Sequence, residues 1–491
     1  MMRSILALCH FDENAGINKD VKMDKATIVL VTLVLYQSLL IAVGYWASKR
    51  VTTEEDYFLG GRQLGPIVAA LSYSASSSSA WSLLGMSGAA YTLGLSAIWI
   101  AAGSILGAII AWVYVAPRLV KFSHKNNTVT IGDFLGHNLE EKWQRKMVFI
   151  SAVIILISFS FYVAAQFQGA GSTFSSTFDI PMTSAIILGA VIIMIYTFLG
   201  GFWAVSVTDA IQGVLMVMAS IALPIFALIE IGGIDNLMDG LEALNKPELL
   251  DLTGTNIGLA AIGFIFGSLA IGLGPIGQPH LLVRFMALRD EKAMRQARLL
   301  TLFWFITVFI GMFVVGLTAN VLIPNPEFGA EAILFQLTGI VFSPVIGAII
   351  LAAVLSAIMS TADSQLLVGA SSISYDLKLG QRYKGKEVLV SRLAVAFLVA
   401  MSILISLYLP ATIFDRALFA WNALGAAFGP TVVMKLAGLR FSGKSIYTAV
   451  LTGFISAVAI SLFPDTPGDV IERSIPFILG FGILYFGRKI D

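Results

Sequence analysis

The sequence predicts an all-α protein that crosses a membrane many times. Three observations carry this prediction: the chain of 491 residues is 57% hydrophobic, only 12% of its residues are charged, and its mean hydropathy is +0.86. Soluble domains are typically about 45–50% apolar and about 25% charged. A helix that crosses the bilayer needs about 20 mostly apolar residues, and such segments recur along almost the whole chain.

Thirteen segments are predicted to be transmembrane helices, and we refer to them as spans one to thirteen. In chain order they are 25–47, 66–91, 96–117, 147–171, 182–200, 203–230, 257–282, 299–323, 344–376, 391–409, 412–434, 446–463 and 472–487.

Basic residues predict the orientation, because lysine and arginine concentrate in cytoplasmic loops. Of the 31 lysines and arginines, 24 lie after odd-numbered spans, for example in the loop 283–298. We therefore expect an extracellular N-terminal tail at 1–24, with 1–22 dispensable or untranslated, and a cytoplasmic C-terminus. The protein is predicted to be a multi-pass protein of the inner (cytoplasmic) membrane.

Several functional classes are not expected from the composition. Cys9 is the only cysteine, the four histidines are scattered, and the chain lacks HExxH and CxxC motifs, so a metal-dependent membrane enzyme is not predicted. No nucleophile–base set indicates any other enzyme. A net charge of +1 without a basic patch argues against a nucleic-acid partner. No obligate protein partner is evident, and the lipid bilayer is the expected surrounding.

Two spans are interrupted by residues that disfavour a regular helix. Span two contains eight serines within 71–91, and span seven reads GSLAIGLGPIGQPH at 267–280. The two spans lie five apart and run in opposite directions, and paired broken helices of this kind mark the midplane site of secondary transporters. Backbone carbonyls and serine hydroxyls at membrane depth suit a small hard cation. Close packing of small residues is the structural alternative.

Two carboxylates lie within predicted spans. Asp209 falls in span six, and Asp363 falls in span nine on the helix that also carries Ser360 and Ser364. A carboxylate in the membrane is costly and usually marks an ion or proton path. For Asp209 the alternative is an interfacial helix N-terminus, where an acid is favourable.

Five motifs make the chain resemble the sodium/solute symporter family, and most of all the sodium/proline symporters within it. They are DYFLGGRQLGP (56–66), YTFLGGFWAVSVTDAIQG (196–213), GQPHLLVRFMA (277–287), AAVLSAIMST (352–361) and GAAFGPTVV (425–433). The resemblance implies Na⁺-coupled symport of proline into the cell by alternating access. It also implies a LeuT-type fold, with inverted five-helix repeats at 66–230 (spans two to six) and 257–434 (spans seven to eleven). Segments 25–47 and 446–491 would then be peripheral.

The resemblance also assigns residues to the binding sites. The Na⁺ site would use the backbone carbonyls of Ala75, Ser78 and Ala357 and the hydroxyls of Ser360 and Thr361. A second cation site, or a shared proton, would involve Asp209, Asp363 and Ser364. The substrate pocket would be lined by Ser77, Ser79, Trp81, Tyr162, Gln166, Gly272, Gly274 and Gln278.

The chain departs from the sodium/proline symporters at four positions. Ser77 replaces an aspartate of span two, and Asp363 is an acid that those proteins lack in span nine. Ile271 and Pro275 stand where they have aromatic residues in the span-seven break. These departures leave open another small amino acid or carboxylate as the substrate, and H⁺ in place of Na⁺ as the coupling ion.

Overall fold

The fold is seen in a computed structural model that describes residues 25–48, 59–199, 201–327, 329–382, 387–409 and 411–488. The predicted extracellular tail at 1–24 lies outside the described residues. The helices are α1 Lys25–Ser48, α2 Pro66–Ser77, α3 Met86–Leu93, α4 Ile98–Ile110, α5 Ala116–Asn126, α6 Ile131–Gly136, α7 Glu141–Phe178, α8 Met182–Leu199, α9 Phe202–Ile231, α10 Ile234–Ala243, α11 Leu259–Ala270, α12 Pro279–Met286, α13 Glu291–Leu322, α14 Ile333–Val341, α15 Pro344–Ser371, α16 Leu379–Arg382, α17 Glu387–Tyr408, α18 Ile413–Leu436, α19 Gly443–Ile460 and α20 Val470–Phe486.

The predicted all-α membrane architecture is confirmed. Within the described ranges, ten helical stretches are long and apolar enough to cross a bilayer. Every predicted span coincides with one helix or with a pair of helices joined by a short break. The total of thirteen spans stays a prediction, since α2, α8 and α20 fall short of the length or hydropathy of a full spanning helix.

Span two is broken where its serines cluster. Helix α2 ends at Ser77, and Ser78 has φ −100° and ψ 63°, outside helical geometry. The Ser77 hydroxyl donates to the carbonyl of Ser74 at 3.0 Å, and the Ala80 N–H donates to the side chain of Gln166 instead of continuing the helical ladder. Because the chain leaves helical geometry at Ser78, the carbonyls of Ala75 and Ser76 near the end of α2 accept from the hydroxyls of Ser360 and Thr361 on α15.

Span seven is broken by its glycines and prolines. Helix α11 ends at Ala270, a 3₁₀ turn covers Ile271–Gly277, and α12 begins at Pro279. Gln278 between them is extended, with φ −78° and ψ 112°. Proline lacks the N–H that a helix interior requires, which explains why the chain cannot cross this depth as one regular helix.

Continuous helices pack against both broken spans. Helix α9 packs against α2, α13 and α15, while α18 packs along the 271–277 turn and α7 packs against both α15 and α18. In this packing α2 contacts α15, and α12 contacts both of them. The two interrupted spans are therefore packed among five continuous helices, α7, α9, α13, α15 and α18.

Replacing Gly272 with alanine is expected to destabilise the protein by about 1–3 kcal/mol, because overpacking strains a close contact. A Cβ atom at Gly272 would lie 2.4 Å from the carbonyl oxygen of Gly103 on α4. The matched control is Gly482→Ala in α20, where a Cβ meets nothing within 4 Å. Alanine in a helix should stabilise that position by about 0.5–1 kcal/mol. Thermal unfolding midpoints of the purified proteins compare the two, and equal midpoints would contradict the prediction.

Candidate functional site

The five residues predicted to bind Na⁺ are buried at the junction of α2 and α15. The hydroxyl of Ser360 donates to the carbonyl oxygen of Ala75 at 3.0 Å and lies 3.2 Å from that of Ala357. Thr361 Oγ1 lies 3.5 Å from the Ala75 oxygen. Ser78 is the first residue past the end of α2. At least four oxygens of the predicted set thus converge, and all are neutral hard donors of the kind that alkali cations take.

A chain of hydrogen bonds joins several residues of the predicted substrate pocket. Tyr162 of α7 donates to the hydroxyl of Ser79 at 3.3 Å and accepts from the indole N–H of Trp421 at 2.6 Å. Gln166, one turn further along α7, accepts from the backbone N–H of Ala80 at 3.0 Å. These contacts place α7, α18 and the span-two break around one point.

Aromatic rings pack around Trp81 of the predicted pocket. The ring of Trp81 lies 5.3 Å from that of Trp421, 5.4 Å from that of Phe309 and 6.1 Å from that of Phe414, measured between centroids. Trp421 lies against both Trp81 and Tyr162, two residues of the predicted pocket.

The span-seven residues of the predicted pocket are divided between two neighbours. Gln278 donates to the backbone carbonyl of Trp421 at 3.2 Å, and a Cβ at Gly274 would lie 2.8 Å from the Trp421 ring. Gly272 instead packs against the backbone of α4. The structure therefore brings Gln278 and Gly274 next to Trp421, whereas Gly272 contributes to close helix packing. Ser77, whose hydroxyl turns back on α2, also has a structural role.

Arg284 lies at the centre of a polar cluster next to the residues predicted to bind Na⁺. Its Nη2 lies 2.8 Å from Asp209 Oδ2, 2.6 Å from Ser76 Oγ and 2.6 Å from Ser364 Oγ, and its Nε donates to Ser72 Oγ at 2.8 Å. Its side chain is 1% exposed and that of Asp209 is 0% exposed. The sequence predicts that this arginine lies in the cytoplasmic loop 283–298. That assignment is wrong, because the residue lies on α12, which follows the span-seven break into the protein.

Asp363 lies beside this ion pair. Its Oδ1 is 3.3 Å from the hydroxyl of Ser364, while its Oδ2 has no hydrogen-bond partner among the described residues. The hydroxyl of Tyr36 on α1 bonds Ser356, one turn before Ser360 on α15. Tyr36 was not predicted, since nothing in the sequence of a peripheral first span indicates contact with span nine.

Two further sets of polar contacts join segments outside the central cluster. Arg62 donates to the hydroxyl of Ser123 at 2.6 Å and to the carbonyl of Thr128 at 3.0 Å. The Glu331 carboxylate accepts from the backbone N–H groups of Ile413 and Phe414 at the start of α18. Burial raises the pKa of Glu331, and these two N–H groups oppose the rise.

Comparison with known proteins identifies the class of molecule to which this site belongs. The model of the sodium:solute symporter family matches residues 57–453. The chain belongs to this family. It is therefore a transporter of a sodium-coupled family and not an enzyme, as the sequence predicted.

Relatives and solved structures agree with this assignment. The chain is 35% identical to an osmoregulated proline transporter of Bacillus subtilis, over 87% of each chain, and 35% identical to a sodium/proline symporter of Staphylococcus aureus, over 91% of each chain. It superposes on a Na⁺-coupled sialic acid symporter with a TM-score of 0.75 at 18% identity, covering 95% of this chain and 100% of that one. The superposition on Mhp1, a nucleobase-cation-symport-1 family transporter, has a TM-score of 0.57 at 12% identity and covers 89% of this chain and 95% of that one. These similarities confirm the predicted LeuT-type fold of the symporter.

Proposed function

We propose that this symporter carries proline into the cell together with Na⁺, by alternating access. The observation that carries the proposal is the convergence of Ala75, Ser360 and Thr361 at the junction of α2 and α15, next to the pocket formed by Tyr162, Trp81 and Trp421. Relatives at 35% identity that are named for proline transport support the substrate.

Na⁺ would act as a bridge between the two helices. The hydroxyl of Ser360 now donates to the Ala75 carbonyl, and that of Thr361 donates to the Ser76 carbonyl at 3.0 Å. A cation bound between them would take the carbonyls of Ala75, Ser78 and Ala357 and both hydroxyls as ligands in place of these hydrogen bonds. Binding would hold the break of span two against α15 and so complete the neighbouring substrate pocket.

The driving force is sufficient for uptake. One charge moving through 100 mV releases about 2.3 kcal/mol, and a tenfold concentration gradient adds about 1.4 kcal/mol. Coupling to one Na⁺ would therefore sustain roughly a 500-fold accumulation of substrate.

We further propose that the N-terminus is extracellular and the C-terminus cytoplasmic, in the inner membrane. The distribution of lysine and arginine supports this orientation. The inverted repeats would be 66–230 and 257–434, each beginning with a broken helix, and the segments 25–47 and 446–491 would pack outside them.

The test is uptake of labelled proline into proteoliposomes under an inward Na⁺ gradient, compared with K⁺ and H⁺ gradients. Sodium-driven uptake that unlabelled proline abolishes is the expected result. Uptake driven only by H⁺ would refute sodium coupling. Sodium-driven uptake of a different amino acid or carboxylate, without proline uptake, would refute the substrate. Ile271 and Pro275 would then have reshaped the pocket, since they replace aromatic residues of the sodium/proline symporters.

Tyr162→Phe is expected to raise the KM for proline about 5- to 100-fold. Two buried groups lose their hydrogen-bond partner, and this loss costs about 1–3 kcal/mol. The Trp421 N–H and the Ser79 hydroxyl both bond the Tyr162 hydroxyl. The matched control is Tyr114→Phe, which removes a hydroxyl that bonds Val433 outside the pocket. Its KM should stay near that of the unaltered protein, and equal KM values for both variants would count against the pocket.

A further inference from the structure

The start of α20 connects two other helices through neighbouring residues. The guanidinium of Arg473 donates to the backbone carbonyl of Gly267 on α11 at 3.1 Å. The backbone carbonyl of Glu472, the preceding residue, accepts from the side-chain amide of Asn422 on α18. Arg473 and Glu472 are both buried. Two adjacent residues of a segment outside the predicted repeats thus join α11 to α18.

The turn before α20 holds these two residues in place. The Glu472 carboxylate accepts from the backbone N–H of Thr466 at 3.0 Å. The Arg473 guanidinium pairs with Asp469 and also donates to the carbonyl of Gly468 at 3.1 Å. Buried polar groups whose partners are all present form rigid networks. The contact between Arg473 and α11 therefore has a fixed geometry.

Glycines allow this turn to lie directly against the last turn of α11. A Cβ atom at Gly267 would lie 2.1 Å from the carbonyl oxygen of Gly468. A Cβ atom at Gly468 would in turn lie 2.4 Å from the carbonyl oxygen of Phe264. Only glycine permits backbones to approach each other so closely, and this approach brings the α11 backbone within reach of Arg473.

The two connected points lie beside the predicted substrate pocket. Gly267 precedes the span-seven break, which begins at Ile271, by four residues. Asn422 follows Trp421, whose indole N–H donates to Tyr162 and whose ring packs against Gly274. The bonds of Arg473 and Asn422 to α20 and its backbone thus hold the two chain segments that meet at Trp421.

A second contact of α20 lies behind the same region. The Phe477 ring is buried against α18, where a Cβ atom at Gly425 would lie 2.8 Å from this ring and 2.9 Å from the Cα of Gly274. At this depth α18 is packed between α20 and the span-seven break. A shift of α20 would therefore be passed on to the break by direct contact.

We propose that Glu472 and Arg473 form a clamp that fixes the spacing between the span-seven break and Trp421, and thereby sets the affinity for the substrate. Binding is tighter when the groups of a site are held in place beforehand. Arg473 and Asn422 are positioning residues, because they act through α11 and α18. This inference rests on the proposed function and gives span thirteen a part in substrate recognition.

The clamp is expected to act on the substrate and not on Na⁺. Its bonds among the described residues go to α11, to α18 and to the turn before α20. The residues predicted to bind Na⁺ lie at the junction of α2 and α15 instead. Substitutions at separate sites without shared partners act independently. A separation of the two affinities therefore distinguishes positioning from a general loss of stability.

The first test replaces Arg473 with glutamine. Arg473→Gln should raise the KM for labelled proline about 5- to 30-fold at saturating Na⁺, because a charged hydrogen bond to α11 is lost. Equilibrium ²²Na⁺ binding without substrate should change by less than about twofold. Arg473→Lys keeps the charge and should recover most of the affinity for proline. The matched control is Arg145→Gln, which alters an exposed arginine of α7.

Two results of this test would overturn the clamp. One is a KM for Arg473→Gln equal to that of Arg145→Gln. The other is an equal loss of affinity for proline and for Na⁺. If Arg473→Gln does not fold, Asn422→Ala decides, because it removes the other connection without leaving a buried charge unpaired. An unchanged KM in Asn422→Ala would then refute the proposal.

Hydrogen–deuterium exchange of the purified full chain tests the clamp for any substrate. In Arg473→Gln or Asn422→Ala, amides of 259–277 should exchange faster than in the unaltered protein, while those of α2 and α15 keep their rates. Unaltered exchange in 259–277 would be contrary to the clamp. If the unaltered protein takes up no proline with Na⁺, the proposed function fails, and the exchange rates alone decide on the clamp.

Discussion

Asp209→Ala is expected to lower the free energy of unfolding by about 3–5 kcal/mol, because it leaves a buried guanidinium without its carboxylate. The two charged atoms are 2.8 Å apart, and neither side chain has more than 1% of its surface exposed. The removed oxygen also accepts from Ser72 at 2.8 Å and is 3.2 Å from the hydroxyl of Ser76. Both serines belong to α2, so the substitution should loosen the helix that forms the Na⁺ site. Thermal or denaturant unfolding of the purified protein measures the loss.

Two other substitutions make this expectation specific to the buried pair. Asp239→Ala on α10 removes an exposed aspartate, and surface substitutions usually change stability by no more than about 0.5 kcal/mol. Asp209→Asn keeps the shape of the side chain and one hydrogen-bonding oxygen. Its free energy of unfolding should therefore lie between those of the two alanine variants. If Asp209→Ala and Asp239→Ala were equally stable, the ion pair would have no structural role.

Thr361→Val is expected to weaken the apparent affinity for Na⁺ about 10- to 100-fold, which corresponds to losing a ligand worth about 1.4–2.8 kcal/mol. Valine has nearly the shape of threonine but no hydroxyl, so packing on α15 is preserved. The lost group donates to Ser76 at 3.0 Å and lies 3.5 Å from the Ala75 oxygen. The dependence of initial uptake rate on Na⁺ concentration gives the affinity, and ²²Na⁺ binding gives it without the substrate.

Thr361→Ser is the matched control for this experiment. It keeps the hydroxyl and removes only the methyl group, so its Na⁺ affinity should stay within a few-fold of that of the unaltered protein. A similar loss in the serine and valine variants would attribute the effect to packing. Unchanged Na⁺ affinity in the valine variant would show that this hydroxyl is not a ligand.

Local chemistry explains which features of the fold and of the candidate site follow from the sequence. Hydropathy reports burial in lipid over about 20 residues at a time, so span positions follow from the chain alone. The breaks in spans two and seven also follow from local composition, since serine, glycine and proline act on the backbone nearest to them. Ser360 and Ser364 stand out because they share one helix with Asp363 within a span, whereas Thr361 is assigned by the family resemblance.

The membrane location, the two broken spans and the oxygen-rich character of the site were thus determined by the sequence itself. Only the tertiary structure decided that Arg284 meets Asp209, 75 positions away in the chain, and Ser364, 80 positions away. It likewise decided that Trp421 lies against Trp81 and Tyr162 and that Gly272 faces α4. The physical reason is that a basic residue after an apolar segment is typical of a cytoplasmic loop. The 3₁₀ turn at Ile271–Gly277 redirects α12, so that this arginine lies among the acids and hydroxyls of three other helices.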